Sequence, residues 1–397
     1  MKIVMIQNFF CKKTGYSDYF LCKYFAKAGH EVHLIAGNLQ LPYDNYEEVY
    51  KSCLGDNRTQ CGTEKFENFT LHIIPVQKSK HRFILQGTGK KLSEINPDIV
   101  LINETVNPGV FKVILHKILT RSKYEIFTED HVHLSVFPPA HEKESIIRKL
   151  KFIAFRSTFV KIVNHFINKC YVIAPDTEEI MTKYFGIKKN KISFLPLAAD
   201  TDWFRPPETQ EEQNERKKLR ASLNVAEDEI LCIYTGRFSF DKNPQCLAEA
   251  IDILQKKGAP YKALFVGSGT PEEVAAIKKH EGCIVHDFVL ARDLPPFYKA
   301  ADIGVWPKQE STSQLDAMAS SLPIVVSNLV KTKERIQGNA LQYKENNAQS
   351  LADTLLILEN FETRKTMGMT GRSKIEKLYN WESVVDNRLR HFKDSLR

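Results

Sequence analysis

Apolar residues along the chain fall into two patterns. Short apolar runs at 3–6, 32–36, 71–76, 99–102, 125–128 and 171–174 predict strands, and their lack of a polar face marks strands covered on both sides. Between the first two, Phe20, Leu21, Tyr24, Phe25 and Ala28 recur at helical spacing. They predict a helix over 17–28, capped by Ser17 and ended by Gly29. A second series of strands follows at 230–235, 263–266, 284–288, 303–306 and 324–327. Strands alternating with helices give parallel sheets. Residues 202–220, rich in Pro, Glu, Gln and Lys, read as a linker and surface helix, and 40–68 reads as an irregular insertion.

A chain of 397 residues exceeds one usual core, so two α/β domains are expected, 1–200 and 201–380. They form two Rossmann-like halves facing one another across a cleft, and such sheets bind ligands beyond the carboxyl ends of their strands. The net charge of +8 lies wholly in the first half, where residues 1–200 carry 28 Lys and Arg against 20 Asp and Glu. That excess points to an anionic partner (a membrane surface, a lipid phosphate or an acidic glycan) or to a solvated basic surface. Residues 145–170 interleave basic with apolar positions, as a covering helix does and as a helix resting on an anionic membrane does. No nucleic-acid motif accompanies the charge, so nucleic acid is not expected as a partner. The eight cysteines include no Cys-x-x-Cys pair, which excludes a thiolate metal site and suits reduced thiols. No apolar run spans a bilayer, and the amino end enters a strand without a signal-peptide pattern, so a cytoplasmic location is expected, at most peripheral on the inner face of the membrane.

Two segments carry candidate chemistry. In 306–327, WPKQESTSQLDAMASSLPIVVS, Glu310 and Asp316 flank a polar loop at the entry to a helix. Carboxylates there accept hydrogen bonds from ribose or sugar hydroxyls, and the helix start favours phosphate; the same residues also serve as ordinary helix caps. In 234–244, YTGRFSFDKNP, Gly236 permits a sharp turn after a strand, and Arg237 and Lys242 sit five apart. Two fixed cations at such a turn neutralise a diphosphate as it leaves, whereas a purely structural loop would pair them with surface acids.

Taken together, TGRFSFDKN, LDAMASSLPIVVS, FLPLAADTDWFRP (194–206), VGSGTPEEV, AGHEVHLIAG and the terminal YNWESVVDNRLRHF resemble the retaining GT-B glycosyltransferases of family 4 (glycosyl transferases group 1), in that order and over nearly the whole chain. The resemblance implies a GT-B fold whose closing helix, 381–397, returns to the first domain. It implies donor contacts from Gly236, Arg237, Lys242, Gly267, Phe288 and Asp316, with Glu310 on the donor sugar. Gly15, in the first loop, would approach the diphosphate. His131 in TEDHVH would stand near the reacting sugar, with His133 as second choice, and Asn103 and Glu104 would line the acceptor cleft. Two departures stand out: five residues without glycine separate Glu310 from Asp316, where the family has seven with Gly-Phe-Gly, and the first loop has one glycine where two are common. Ser311 and Thr312 hydroxyls would then replace backbone donors.

The resulting expectation is a metal-independent glycosyltransferase, acting with retention of configuration, that moves a sugar from a UDP- or GDP-sugar to a glycan or lipid-linked acceptor. The resemblance implies that no bound metal is required, and no cofactor besides the sugar nucleotide is implied. An epimerase of the same fold and a degenerate nucleotide-sugar-binding scaffold are the alternatives.

Overall fold

The computed structural model describes residues 1–79, 82–132, 159–308 and 310–397. Its strands, in chain order, are β1 (Lys2–Gln7), β2 (Glu31–Gly37), β3 (Gly62–Phe66), β4 (Phe69–Ile74), β5 (Val76–Ser79), β6 (Arg82–Leu85), β7 (Ile99–Asn103), β8 (Glu125–Asp130), β9 (Ile167–Val172) and β10 (Ile192–Phe194) in the first lobe. In the second they are β11 (Ile230–Arg237), β12 (Tyr261–Ser268), β13 (Cys283–His286), β14 (Ile303–Trp306), β15 (Ile324–Ser327) and β16 (Ala340–Tyr343). The first sheet runs β10-β9-β8-β7-β1-β2-β4-β3 and the second β13-β12-β11-β14-β15-β16. Every pairing in them is parallel except β3 with β4. The second sheet thus has the doubly wound order, with its topological switch between β11 and β14, which is where such a fold opens a crevice.

The apolar runs become the strands because both faces are covered: Ile3, Val4, Leu34 and Ile35 are fully buried, as are Ile233, Leu264, Val305 and Val325. The helix Ser17–Lys27 starts one residue earlier than a Ser17 cap requires. Tyr16 is the extended cap residue, no side chain caps the helix, and Ser17 lies in the first turn. Gly29 takes the left-handed φ of 83° that ends the helix.

Several sequence expectations are corrected here. The supposed irregular insertion at 40–68 contains two short helices, Tyr46–Val49 and Lys51–Leu54, and the antiparallel edge strand β3. Their buried side chains, Leu41, Tyr46 and Leu54, form a small core of their own. The strand expected at 171–174 begins earlier, at Ile167. Of the basic amphipathic stretch 145–170, residues up to 158 lie outside the described residues; beyond them Lys161–Phe166 is helical, and Phe159 and Phe166 pack against the first core. A helix of the linker, Gln210–Ser222, is less superficial than expected, because Arg220 is buried and bonds Asp302 and the carbonyl of Ala300. Strand β16 carries no clear apolar run and was not anticipated. Among the described residues no helix is long and apolar enough to cross a membrane.

The chain crosses between the lobes twice, and the crossings lie side by side: the Ala199 N–H donates to the Tyr379 carbonyl at 2.9 Å. The closing helix Trp381–Ser395 then packs on the first lobe. Trp381 stacks on Phe20 with ring centroids 5.3 Å apart, and Phe392 meets Phe127 at 4.6 Å. Beneath them Arg388, fully buried, holds the Glu129 carboxylate at 2.6 Å. Burial alone would raise the Glu129 carboxyl, but Arg388 and His131 hold it down, at about 2.

Breaking a buried pair by removing one partner costs about 3–5 kcal/mol, because the other charge stays buried. Arg388→Met should therefore lose that much stability at pH 7 in urea unfolding followed by tryptophan fluorescence. Without Arg388 the buried carboxyl is expected to take up a proton more readily, so the deficit should shrink as the pH is lowered towards 4. A deficit that stays constant across that range would show that Glu129 and Arg388 are not linked as charges.

Candidate functional site

The site is built where the carboxyl ends of the two sheets meet. On the second lobe, Gly236 and Gly267 lie opposite one another at the ends of β11 and β12. Both take positive φ, 143° and 156°, and a Cβ on Gly267 would stand 1.9 Å from the Gly236 carbonyl oxygen. Only glycine fits there, and the pair leaves a notch of bare backbone. Arg237 and Lys242 stand above it, on the turn that leads from β11 into the helix Gln245–Lys256. The Arg237 guanidinium is 3.6 Å from Asp241 and lies over the Tyr43 ring at 5.4 Å. Burial lowers the Lys242 ammonium below the usual lysine range, Asp241 opposes that, and Arg237 adds to it. An anion arriving at the notch would relieve both effects.

Opposite, the first loop of the amino-terminal lobe presents Gly15. A Cβ added there would stand 2.8 Å from the Ala291 Cβ of the second lobe, so glycine sets how closely the lobes approach. Between them is a cavity of about 330 Å³ lined by Gly15, Gly236, Arg237, Lys242, Gly267, Phe288, Ser311, Thr312 and Asp316. All nine were expected from the sequence to contact the donor, and the structure brings them to one cavity.

An adjoining cavity of about 300 Å³ shares Gly15, Thr312 and Asp316 with the first and adds His131, Asn103, Asp18 and Asp200. Asp316 therefore stands at the junction. Burial, and next the nearby Asp200, push its carboxyl up to about 8. Asp18, reached by neither motif nor resemblance, is pushed up by burial to about 6. The His131 ring nitrogen Nε2 is 2.7 Å from Glu129, whose other oxygen is held by Arg388. The closing helix thus reaches through Glu129 to orient the histidine.

Two further expected site residues, Glu310 and Glu104, line neither cavity. Glu310 accepts the N–H groups of Lys331 and Thr332 at 3.2 and 3.1 Å and the Thr332 hydroxyl at 2.6 Å, and pairs with Arg335 at 3.3 Å. With only five residues before Asp316, it is turned onto the 331–335 loop rather than towards the donor side. Glu104 accepts from Asn107 of its own loop and from Asn8, just after β1. Asp130 likewise caps a loop, taking the Thr105 N–H at 3.0 Å. His133 lies outside the described residues. Among the described residues no group of three or more His, Cys, Asp or Glu is arranged to hold a metal ion.

The sequence reading missed Tyr43 and Tyr50, which line the donor cavity from the first lobe. Their signal was present as Tyr43, Tyr46 and Tyr50 at helical spacing within the stretch read as irregular. The cross-lobe ion pair of Lys331 with Asp176, at 2.9 Å, had no local signal.

Comparison with known proteins agrees with this architecture. Residues 229–360 match the family model described as Glycosyl transferases group 1. A D-inositol 3-phosphate glycosyltransferase of Xylanimonas cellulosilytica is 24% identical over 228 residues, 54% of either chain; the chain thus spans about half the length of this curated relative. Among solved structures, a glycosyltransferase from Rickettsia africae superposes with a TM-score of 0.70 at 15% identity, covering 100% of this chain and 99% of its own. The catalytic domain of starch synthase IV from Arabidopsis thaliana, bound to ADP and acarbose, superposes with a TM-score of 0.66 at 14% identity, covering 100% and 99%. A segment of the second lobe thus matches the group 1 glycosyltransferases, and the chain as a whole has the GT-B fold.

Proposed function

We propose that the chain transfers a sugar, with retention of configuration, from a nucleoside diphosphate to a hydroxyl of a glycan or lipid-linked acceptor. The observation that carries this reading is the convergence of Arg237, Lys242 and the Gly236–Gly267 notch on one interlobe cavity that ends at Asp316. The notch and the two cations suit a diphosphate, and Asp316 suits sugar or ribose hydroxyls. In the transfer, the acceptor oxygen bonds to the anomeric carbon as the bond from that carbon to the diphosphate oxygen breaks. The electron pair passes to the diphosphate, whose growing charge Arg237 and Lys242 neutralise, and the freed oxygen takes the acceptor proton. Positioned donors of this kind replace what a divalent metal would do at a leaving phosphate. His131, oriented by Glu129, faces the neighbouring cavity, where the reacting sugar and the acceptor would meet. The starch synthase neighbour bound to ADP supports a nucleotide in this fold.

A lipid-linked acceptor would bring the protein to a membrane. Phe111, Leu115, Ile118 and Leu119 are exposed on the helix Pro108–Thr120 of the basic lobe, and they support peripheral contact with an anionic surface.

Release of nucleoside diphosphate from sugar nucleotides should fall about 10²–10³-fold in Arg237→Ala and in Lys242→Ala, and should persist with a chelator. Full turnover in both variants would exclude the diphosphate assignment. With its carboxyl pushed up to about 8 by burial and by Asp200, Asp316 is mostly protonated at pH 7. Ligand hydroxyls donating to Asp316 favour its ionised form, so nucleotide binding at pH 7 should release a proton. Calorimetry in two buffers of different ionisation enthalpy measures that release, and Asp316→Asn should abolish it. Co-sedimentation with vesicles containing phosphatidylglycerol, but not with vesicles of phosphatidylcholine alone, is the expected membrane behaviour; equal recovery with both would exclude the electrostatic part.

A further inference from the structure

The donor cavity is roofed by the first lobe. The segment 41–54 leaves that lobe, folds as the two short helices Tyr46–Val49 and Lys51–Leu54, and lays its tyrosines on the second lobe. Arg237, Tyr43, Tyr50 and Phe288 follow one another in a row. The guanidinium lies 5.4 Å from the Tyr43 ring centroid. Tyr43 and Tyr50 stack at 5.5 Å and 24°, and Tyr50 meets Phe288 edge-on at 6.3 Å and 83°. One end of the row is the cation assigned to the diphosphate; the other is the aromatic side chain just beyond β13.

The row is held firmly. Leu41 is fully buried, and Tyr46 and Leu54 nearly so. The Gln40 amide donates to the Tyr46 hydroxyl at 3.2 Å and to the carbonyls of Leu54 and Asp56 at 3.1 and 2.7 Å. The small core beneath continues across the cleft to Phe288 and Leu290 of the second lobe. Simple closure of two lobes would be served by aliphatic contacts. Instead the roof over a cavity that also holds Arg237 and Lys242 is made of phenol rings, whose faces stack on any base and whose hydroxyls tolerate water.

We propose that this segment forms the outer wall of the nucleoside subsite, with Tyr50 and Phe288 making an aromatic corner for the base and Tyr43 lying along the path to the diphosphate. The inference rests on the sugar-nucleotide reading above and adds to it that the amino-terminal lobe contributes to donor affinity through 41–54. The ligand class is a nucleoside diphosphate, held by stacking in a way that does not select one base.

The test compares Tyr50→Leu, Tyr50→Phe and Arg237→Ala with the unaltered chain, by calorimetric titration with UDP, GDP, ADP and inorganic pyrophosphate. Leucine keeps the apolar volume and lacks the aromatic face. Stacking on an aromatic ring is worth about 1–3 kcal/mol per base, so Tyr50→Leu should bind each nucleoside diphosphate that the unaltered chain binds about 5–150-fold more weakly. Its pyrophosphate affinity should be unchanged, and Tyr50→Phe should match the unaltered chain. Arg237→Ala should weaken both kinds of ligand. If Tyr50→Leu binds the nucleoside diphosphate normally, or loses pyrophosphate to the same degree, the subsite is overturned while the diphosphate reading stands on Arg237→Ala. If the unaltered chain binds no nucleoside diphosphate, both fall.

Discussion

A guanidinium with no access to solvent has to be met by a charge, and in this chain the charge that meets Arg388 is Glu129. Much follows from that requirement. Arg388 belongs to the last helix and Glu129 to a central strand of the first sheet, so the pair fixes where the carboxy terminus docks. Once docked, Trp381, Val384, Leu389 and Phe392 complete the first core. The second oxygen side of the same carboxylate reaches His131, so a buried ion pair in the core also sets the direction of a side chain on the cavity wall. Burial and reach of this kind are why a helix distant in sequence belongs to the same functional unit as the strand ends at 129–131.

The cavity beside the second lobe's strand ends is organised by close approach rather than by charge alone. Gly236 and Gly267 leave no Cβ between two strand ends, and Gly15 leaves none between the lobes. Arg237 and Lys242 would be ordinary surface cations without this notch. With it, they share a cavity with bare glycine backbone and Asp316. The reacting side is different in character: Asp18, Asp200 and Asp316 line it, although the chain is basic as a whole. Among the described residues, no Lys or Arg of the first lobe lines either cavity. Lys23 neutralises Asp200 at 2.8 Å, while burial favours the proton on Asp18 and Asp316.

What could be read from the sequence was what depends on local order. The apolar runs of β1, β2, β7 and β11 are contiguous, and the turn Gly236–Lys242 carries glycine and cations at fixed offsets, so both were visible. The positions of Gly15, Gly267 and Phe288 on one cavity followed from motif order and the resemblance. What stayed hidden depends on partners far along the chain. Nothing near Glu310 shows that Lys331, Thr332 and Arg335 occupy its oxygens. Nothing near Tyr50 shows that Phe288 lies against it. The edge strand β3, with Gly, Thr, Glu, Lys and Phe, is mostly exposed and has no apolar run to betray it. Ser17 misled because a serine before an apolar helix resembles a cap, whereas the backbone is already helical there.

The side-by-side crossings at Ala199 and Tyr379 restrict how the molecule can breathe. Two tethers set far apart would hold the lobes rigid, and a single tether would let them swivel in any direction. Two adjacent tethers joined by a backbone hydrogen bond act like the spine of a book: the covers open and shut about one axis and cannot slide. Every opening wide enough to admit a ligand therefore swings Gly15 away from Ala291 along nearly the same arc, and every closure returns the two to the same register.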